Sequence, residues 1–241
     1  MRACLAEAIL PDGEIHVWLG HLVDDEDRTA QLASLLDSEE AARAAGFACR
    51  RVRMHFIQSH GMARQVLARY TGDDAAELRF ARGRYGKPRL IRSQSGPDIH
   101  FSLSHSGSCF IIALTFRNSV GADIEQVRDL PQAMEIARRH FAASECRLLA
   151  RQRGAGRRNA FFALWTCKEA VTKARGGNMA TTLGETGLDI DSTDVGQPSS
   201  PNNVRMSARG YPVVSFDPLP GYMAAVASKH PFRTMRHYTW G

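Results

Sequence analysis

The chain has 241 residues, 44% of them hydrophobic and 23% charged, with a formal net charge of +6; at ~150 residues per domain that is one large domain or two small ones, too apolar for wholesale disorder. The longest apolar stretch, within Cys109–Phe116, falls far short of the ~20 residues of a membrane span, and Met1-Arg2-Ala3-Cys4 opens no secretory h-region. Five scattered cysteines without a C-x-x-C support neither a disulfide framework nor a zinc ribbon, so a cytoplasmic protein with reduced thiols is expected.

Ala3–Leu10 and Ile15–Leu19 are predicted as a hairpin across Pro11-Asp12-Gly13. Helices follow over Asp24–Leu36 and Ser38–Ala45, with Ser38 as N-cap and Gly46 as stop. Arg50–Tyr70 is a long amphipathic helix, carrying Val52, Phe56, Met62, Val66, Leu67 and Tyr70 near helical spacing, with Gly72 just beyond. Strands are predicted at Ile99–Leu103, Cys109–Phe116 and Val120–Ile124, then short helices at Pro131–Arg139 and Ser144–Ala150. A second long helix, Arg157–Arg175, ends at Gly176-Gly177. Leu188–Ile190, Tyr211–Phe216, Tyr222–Ala227 and Arg233–Trp240 are strand-like, and Ser192–Gly210 is a polar loop. This order predicts an α+β chain of two similar halves, 1–118 and 119–241, with a seam at 117–120.

Charge is unevenly spread. Residues 1–42 hold ten acids and two arginines; residues 43–92 hold eleven arginines and Lys87 against three acids. Such a run is either a solvated face or a site for phosphate or an acidic partner. In Gly121-Ala122-Asp123-Ile124-Glu125, a strand would put both carboxylates on one side. Like charges side by side call for a cation, and hard oxygens suit magnesium. In Trp165-Thr166-Cys167-Lys168-Glu169-Ala170-Val171-Thr172-Lys173, a helix aligns Trp165, Glu169 and Lys173 on one face. That is either a plain i,i+4 pair beside core aromatics or a place for metal and phosphate together. Arg84-Tyr85-Gly86-Lys87-Pro88 offers a tight loop with an ammonium, and Ser102-Leu103-Ser104-His105-Ser106-Gly107 offers hydroxyls and an imidazole at a turn. Nucleotide-loop and paired-histidine zinc patterns are missing.

Taken in order, Gly-Lys-Pro, Ser-Leu-Ser-His-Ser, Val-Gly-Ala-Asp-Ile-Glu and Phe-Phe-x-Leu-Trp-x-x-Lys-Glu-Ala-x-x-Lys resemble the Sfp-type 4′-phosphopantetheinyl transferases, from about Phe47 to Tyr222. The resemblance implies two pseudo-symmetric α/β halves with the active site in the cleft between them. It implies transfer of the phosphopantetheine arm of coenzyme A to a serine of an acidic apo carrier protein, by a monomer, with Mg²⁺ on Asp123, Glu125 and Glu169. Asp123, Glu169 and Lys173 are then the catalytic residues, Lys173 and Lys168 supporting the leaving phosphate. Either Glu169 or a metal-bound water takes the serine proton. Gly86, Lys87 and Pro88 would hold the adenosine end, and Ser104 and His105 the phosphates. Arg43 matches a family lysine for the 3′-phosphate, whereas Arg50 and Arg53 enter on charge alone. The rival reading is an Arg-rich nucleic-acid-binding protein using residues 43–92, which leaves both acidic clusters idle. Neither membrane nor nucleic acid is an expected partner.

Overall fold

A computed structural model describes residues 9–91, 96–177, 187–189 and 204–240. In chain order it comprises β1 (Glu14–His21), α1 (Glu26–Ala33), α2 (Ser38–Ala45), α3 (Arg50–Thr71), β2 (Phe80–Arg82), β3 (Pro88–Leu90), β4 (Ile99–Ser106), β5 (Cys109–Phe116) and β6 (Val120–Gln126). Then come α4 (Ala133–His140), α5 (Ala143–Arg151), α6 (Gly154–Ala174), β7 (Val204–Ala208), β8 (Tyr211–Phe216), β9 (Tyr222–Ser228) and β10 (Thr234–Thr239). Among the described residues no helix is long and apolar enough to cross a membrane.

Two four-stranded sheets, β10-β1-β5-β4 and β6-β9-β8-β7, make up the α+β architecture, and β2–β3 forms a separate hairpin. The sheets stack face to face, Ile15, Val17, Ile111 and Ala113 meeting Ala122, Ile124, Ala224 and Val226. The long helix α3 covers the outer face of the first sheet, where Met62, Val66 and Leu67 pack on Phe110, Ile112 and Leu114. The second sheet is covered by α6, with Phe161, Leu164, Cys167 and Val171 on Val213, Ala225 and Ala227. This layering explains the apolar run Cys109–Leu114 of β5: odd residues face the other sheet and even ones face α3.

Several predicted boundaries move. Asp37, not Ser38, caps α2, accepting from Glu40 N in a capping box. The hairpin predicted for residues 3–19 has its first arm largely outside the described residues. Its second arm, β1, pairs antiparallel with β5 and parallel with β10. The last strand therefore crosses into the first sheet, so the halves do not divide cleanly at 118/119. The polar loop predicted at 192–210 contains β7, which extends the second sheet beside β8; residues 192–203 lie outside the described residues. The short β2–β3 hairpin was not predicted. Its turn closes with Gly86 at φ +83°, a left-handed position that suits glycine.

The opposite-charge blocks meet in the fold. Arg50 on α3 reaches Asp24 and Glu26 beside α1, at 3.2 and 2.5 Å. The buried Arg64 bonds Glu40 and Asp37, each at 2.7 Å, and also donates to the carbonyls of Ala75 and Leu78. Arg82 pairs with Glu39. Arg50, Arg64 and Arg82 are thus neutralised by acids of residues 1–42.

Candidate active site

The edge strands β4 and β6 lie side by side and are joined by side chains. Ser102, Ser104 and Ser106 alternate along β4 and all turn toward β6, as a period of two requires. Ser102 Oγ accepts from Ala122 N at 3.0 Å, Ser104 Oγ donates to Asp123 Oδ1 at 2.7 Å, and Ser106 Oγ donates to Glu125 Oε2 at 2.7 Å. The intervening residues Phe101 and Leu103 turn into the core under α3. Along β6 itself, Ala122 and Ile124 face the sheet interface, leaving Gly121, Asp123 and Glu125 on the α6 side.

Close approach of α6 completes the cluster. A Cβ on Gly121 would lie 1.9 Å from the Ala170 carbonyl oxygen and 2.4 Å from Ala174 N, so only glycine admits the helix here. Ser119 Oγ fixes the helix end by donating to Ala174 O at 2.6 Å. Helical phase then delivers Glu169 and Lys173 to β6. Lys173 Nζ sits 2.7 Å from Asp123 Oδ1 and 3.8 Å from Glu169 Oε2, and donates to Ser104 Oγ and Ala122 O at 3.1 Å each.

The electrostatics follow from crowding three acids into a largely buried place. Burial, then the Asp123 charge, pushes the Glu169 carboxyl up to about 8. Burial also raises Glu125, against its hydrogen bond from Ser106. Burial opposes the charge on Lys173, but Asp123 and then Glu169 outweigh it and hold the ammonium protonated. Asp123 Oδ2 is buried without a hydrogen-bond partner. A buried carboxylate oxygen left orphaned costs ~1–3 kcal/mol or more, so it calls for a cation. Among the described residues no three His, Cys, Asp or Glu side chains already converge as a finished metal centre. The hard-oxygen donor set and the orphaned oxygen nonetheless fit Mg²⁺.

The other predicted residues are distributed unequally. Lys168 does not join the acids: it is fully buried, 3.0 Å from the equally buried Glu145 Oε2, with its ammonium over Phe141. Being one residue before Glu169, it is rotated ~100° around the helix, toward α5. Glu145 also accepts from Ala142 N and Leu188 N, so the pair anchors packing rather than a phosphate. Lys87 Nζ donates to Val120 O at 2.6 Å and Lys173 O at 2.8 Å, tying the β2–β3 hairpin to β6 and α6; burial pushes its pKa down to about 8. Its stem and Pro88 line a cavity of about 260 Å³ with Tyr85, His100, Ser119 and Arg175. Gly86 stands at the open apex of that hairpin. His105 lies on the opposite side of β4 from Ser104, in the neighbourhood of His60 and His55. Arg43 stacks over Phe56, which stacks on His60. Arg53 donates to Phe47 O at 3.0 Å, and Arg50 is committed to the acids beside α1. Charge alone could not separate Arg50 from Arg43.

Comparison with known proteins agrees with this geometry. Residues 119–227 match the profile of the 4′-phosphopantetheinyl transferase superfamily, and residues 24–117 match a profile described as 4′-phosphopantetheinyl transferase, N-terminal. The chain is 32% identical over 167 residues to the 4′-phosphopantetheinyl transferase HetI of Nostoc sp., covering 69% of this chain and 70% of the relative. It is 29% identical over 175 residues to the 4′-phosphopantetheinyl transferase Sfp of Bacillus subtilis, covering 70% and 71%. With AcpT of Salmonella typhi it shares 34% identity over 96 residues, 40% of this chain and 48% of the relative. Two edge strands, a cluster of acids and a helix lysine thus stand where the profiles match, and the chain belongs to the 4′-phosphopantetheinyl transferase superfamily.

Proposed function

We propose that this chain moves the 4′-phosphopantetheine arm of coenzyme A onto a serine of an apo carrier protein. The observation that carries the reading is the buried, unpartnered Asp123 Oδ2 beside Glu125, Glu169 and Lys173 at the junction of the two sheets. Mg²⁺ on Asp123, Glu125 and Glu169 would supply charge neutralisation for a pyrophosphate.

In the transfer, the serine oxygen bonds the phosphorus that carries the pantetheine arm. The pyrophosphate P–O bond breaks and 3′,5′-adenosine bisphosphate leaves. Lys173, kept protonated by its acidic neighbours, offsets the charge that develops on the leaving phosphate. Glu169 accepts the serine proton in its ionised form, which a cation beside the acids would favour. Lys87 organises the hairpin that borders the adenosine end rather than meeting a phosphate with its ammonium. Arg43 and His105 receive the 3′-phosphate, and Arg51, exposed at the start of α3, meets the acidic face of the carrier. One chain carries both halves of the cleft, so the working form is a monomer, acting in the cytoplasm. The nucleic-acid reading loses its motive, because acids of the first half occupy Arg50, Arg64 and Arg82.

The test is intact-mass measurement of apo carrier proteins incubated with the chain, coenzyme A and Mg²⁺. The carrier gains the mass of phosphopantetheine with the unaltered chain and gains nothing with Asp123→Ala or Glu169→Ala. Full transfer by either variant would overturn the assignment.

A further inference from the structure

The serine at the end of β4 sits in a hydrogen-bond arrangement that leaves it one orientation. Ser106 Oγ accepts from Gln126 N at 3.1 Å and lies 2.7 Å from Glu125 Oε2. A hydroxyl has one proton. With an amide donating into its lone pair, that proton is left to point at the carboxylate. Ser106 therefore couples the backbone of β6 to the side chain of Glu125, and the coupling is rigid at both ends. The turn beyond it is pinned as well: Gly107, at φ +56°, has no room for a Cβ against Tyr222 Oη and Gln126 Oε1, and Tyr222 Oη accepts from Ser108 N at 3.1 Å.

Glu125 has a competing partner. Arg128 Nη1 stands 3.6 Å from the same Oε2, on a side chain 57% exposed to solvent. Without the Ser106 hydroxyl, the nearest donor to this carboxylate is that guanidinium, which draws it outward and away from Asp123. Asp123 needs no such help, since Ser104 and Lys173 hold its Oδ1. Glu125 takes its short hydrogen bond from Ser106, and its other charged contact, Arg128, pulls toward solvent.

We propose that Ser106 is a positioning residue for the transfer reaction, acting through Glu125 to set how tightly the acidic cluster takes a divalent cation. The proposal rests on the functional reading above. It assigns Ser106 no contact with coenzyme A or with the carrier. Partners of this kind, one step removed from the ligand, typically change metal affinity by ~10–100-fold when removed.

The experiment compares the unaltered full-length chain with Ser106→Ala, Ser106→Thr, Glu125→Gln and the double variant Ser106→Ala/Glu125→Gln. Mn²⁺ binding by electron paramagnetic resonance and the Mg²⁺ dependence of carrier modification are both read, with thermal midpoints alongside. Ser106→Ala should weaken Mn²⁺ binding ~10-fold and raise the Mg²⁺ concentration for half-maximal rate by a similar factor. Ser106→Thr keeps the hydroxyl and should restore both. In the Glu125→Gln background, removing the hydroxyl should add nothing to the cation readouts. An unchanged Mn²⁺ affinity in Ser106→Ala, or a full additional loss in the double variant, overturns the proposal. A merely structural serine would lower the thermal midpoint while leaving Mn²⁺ affinity alone, which also overturns it. Should the unaltered chain neither bind Mn²⁺ nor modify a carrier, the functional reading fails and takes this inference with it.

Discussion

Gly121→Ala tests the packing on which the site depends. The new Cβ would stand 1.9 Å from Ala170 O, whereas ordinary contact begins at 3.4 Å, so α6 and β6 must part by about 1.5 Å. Both obstructing groups are helix backbone, Ala170 O and Ala174 N, and neither can rotate aside. A separation of that size stretches Lys173 Nζ–Asp123 Oδ1 from 2.7 Å and Ser119 Oγ–Ala174 O from 2.6 Å beyond hydrogen-bond range. Overpacking costs ~1–3 kcal/mol, more where backbone is involved, which at this chain length lowers Tm by roughly 2–12 °C. A misplacement of ~1 Å at reacting groups costs ~10²-fold in rate, so transfer should fall further than stability alone explains. Calorimetry and the rate of apo-to-holo carrier conversion below the transition read the two effects separately. Gly156→Ala in the first turn of α6 is the control. Its nearest neighbour is the flexible Gln152 Oε1 at 3.1 Å, so it should match or slightly exceed the unaltered chain in stability. If Gly121→Ala keeps the original Tm and rate, the helix is not seated as described and the reasoning fails.

Lys168→Met strands the Glu145 carboxylate in the core and should cost ~3–5 kcal/mol, whereas Lys168→Met with Glu145→Leu should recover most of it, as read by urea unfolding. A Lys168→Met variant as stable as the original would show that the pair is not buried. Glu40 links pH to stability: burial pushes its carboxyl up, but His60 and Arg64 prevail and bring it to about 2 from 4.5. A depressed carboxyl stabilises the fold above its unfolded pKa and loses that contribution as pH falls toward the folded one. The gap is worth about 3 kcal/mol, so between pH 6 and pH 3 the unaltered chain should lose stability that Glu40→Gln does not; parallel curves would contradict this. Arg43→Ala should raise KM for coenzyme A several-fold, and Arg50→Ala should leave it unchanged. Equal effects would mean that charge in this segment acts without regard to place.

What was legible in the sequence follows from the range over which each signal acts. The long helices and β5 announce themselves because burial imposes a period, or an unbroken apolar run, on many residues in succession. The carboxylate pair of β6 was readable for the same reason, since alternation alone puts Asp123 and Glu125 on one side. Strands of three residues, such as β2 and β3, carry too few positions to show a period. The pairing of β10 with β1 joins residues about 220 apart, and no local pattern encodes it. Lys168 is a different case, because the signal was present. Helical phase separates it from Glu169 by ~100° while aligning Glu169 with Lys173, and phase rather than adjacency decides which lysine meets the acids.

Net charge misleads most where opposite charges are segregated along the chain but adjacent in space. Ten acids precede residue 43 and twelve bases occupy 43–92, a contrast that suggests an exposed basic face. The fold instead lays α1 and α2 against α3, where acids of the first block take up Arg50, Arg64 and Arg82. Arg64 shows how completely: it is 1% exposed, and its guanidinium is satisfied by two carboxylates and two carbonyls. Such an arginine organises the first half but meets no phosphate. Arg43 instead stacks over Phe56 beside His60, and the ammonium of Lys173 faces the acids of β6 and α6. The charge sum along the chain therefore overstates the positive face, because an anionic partner meets only the arginines left over after this pairing.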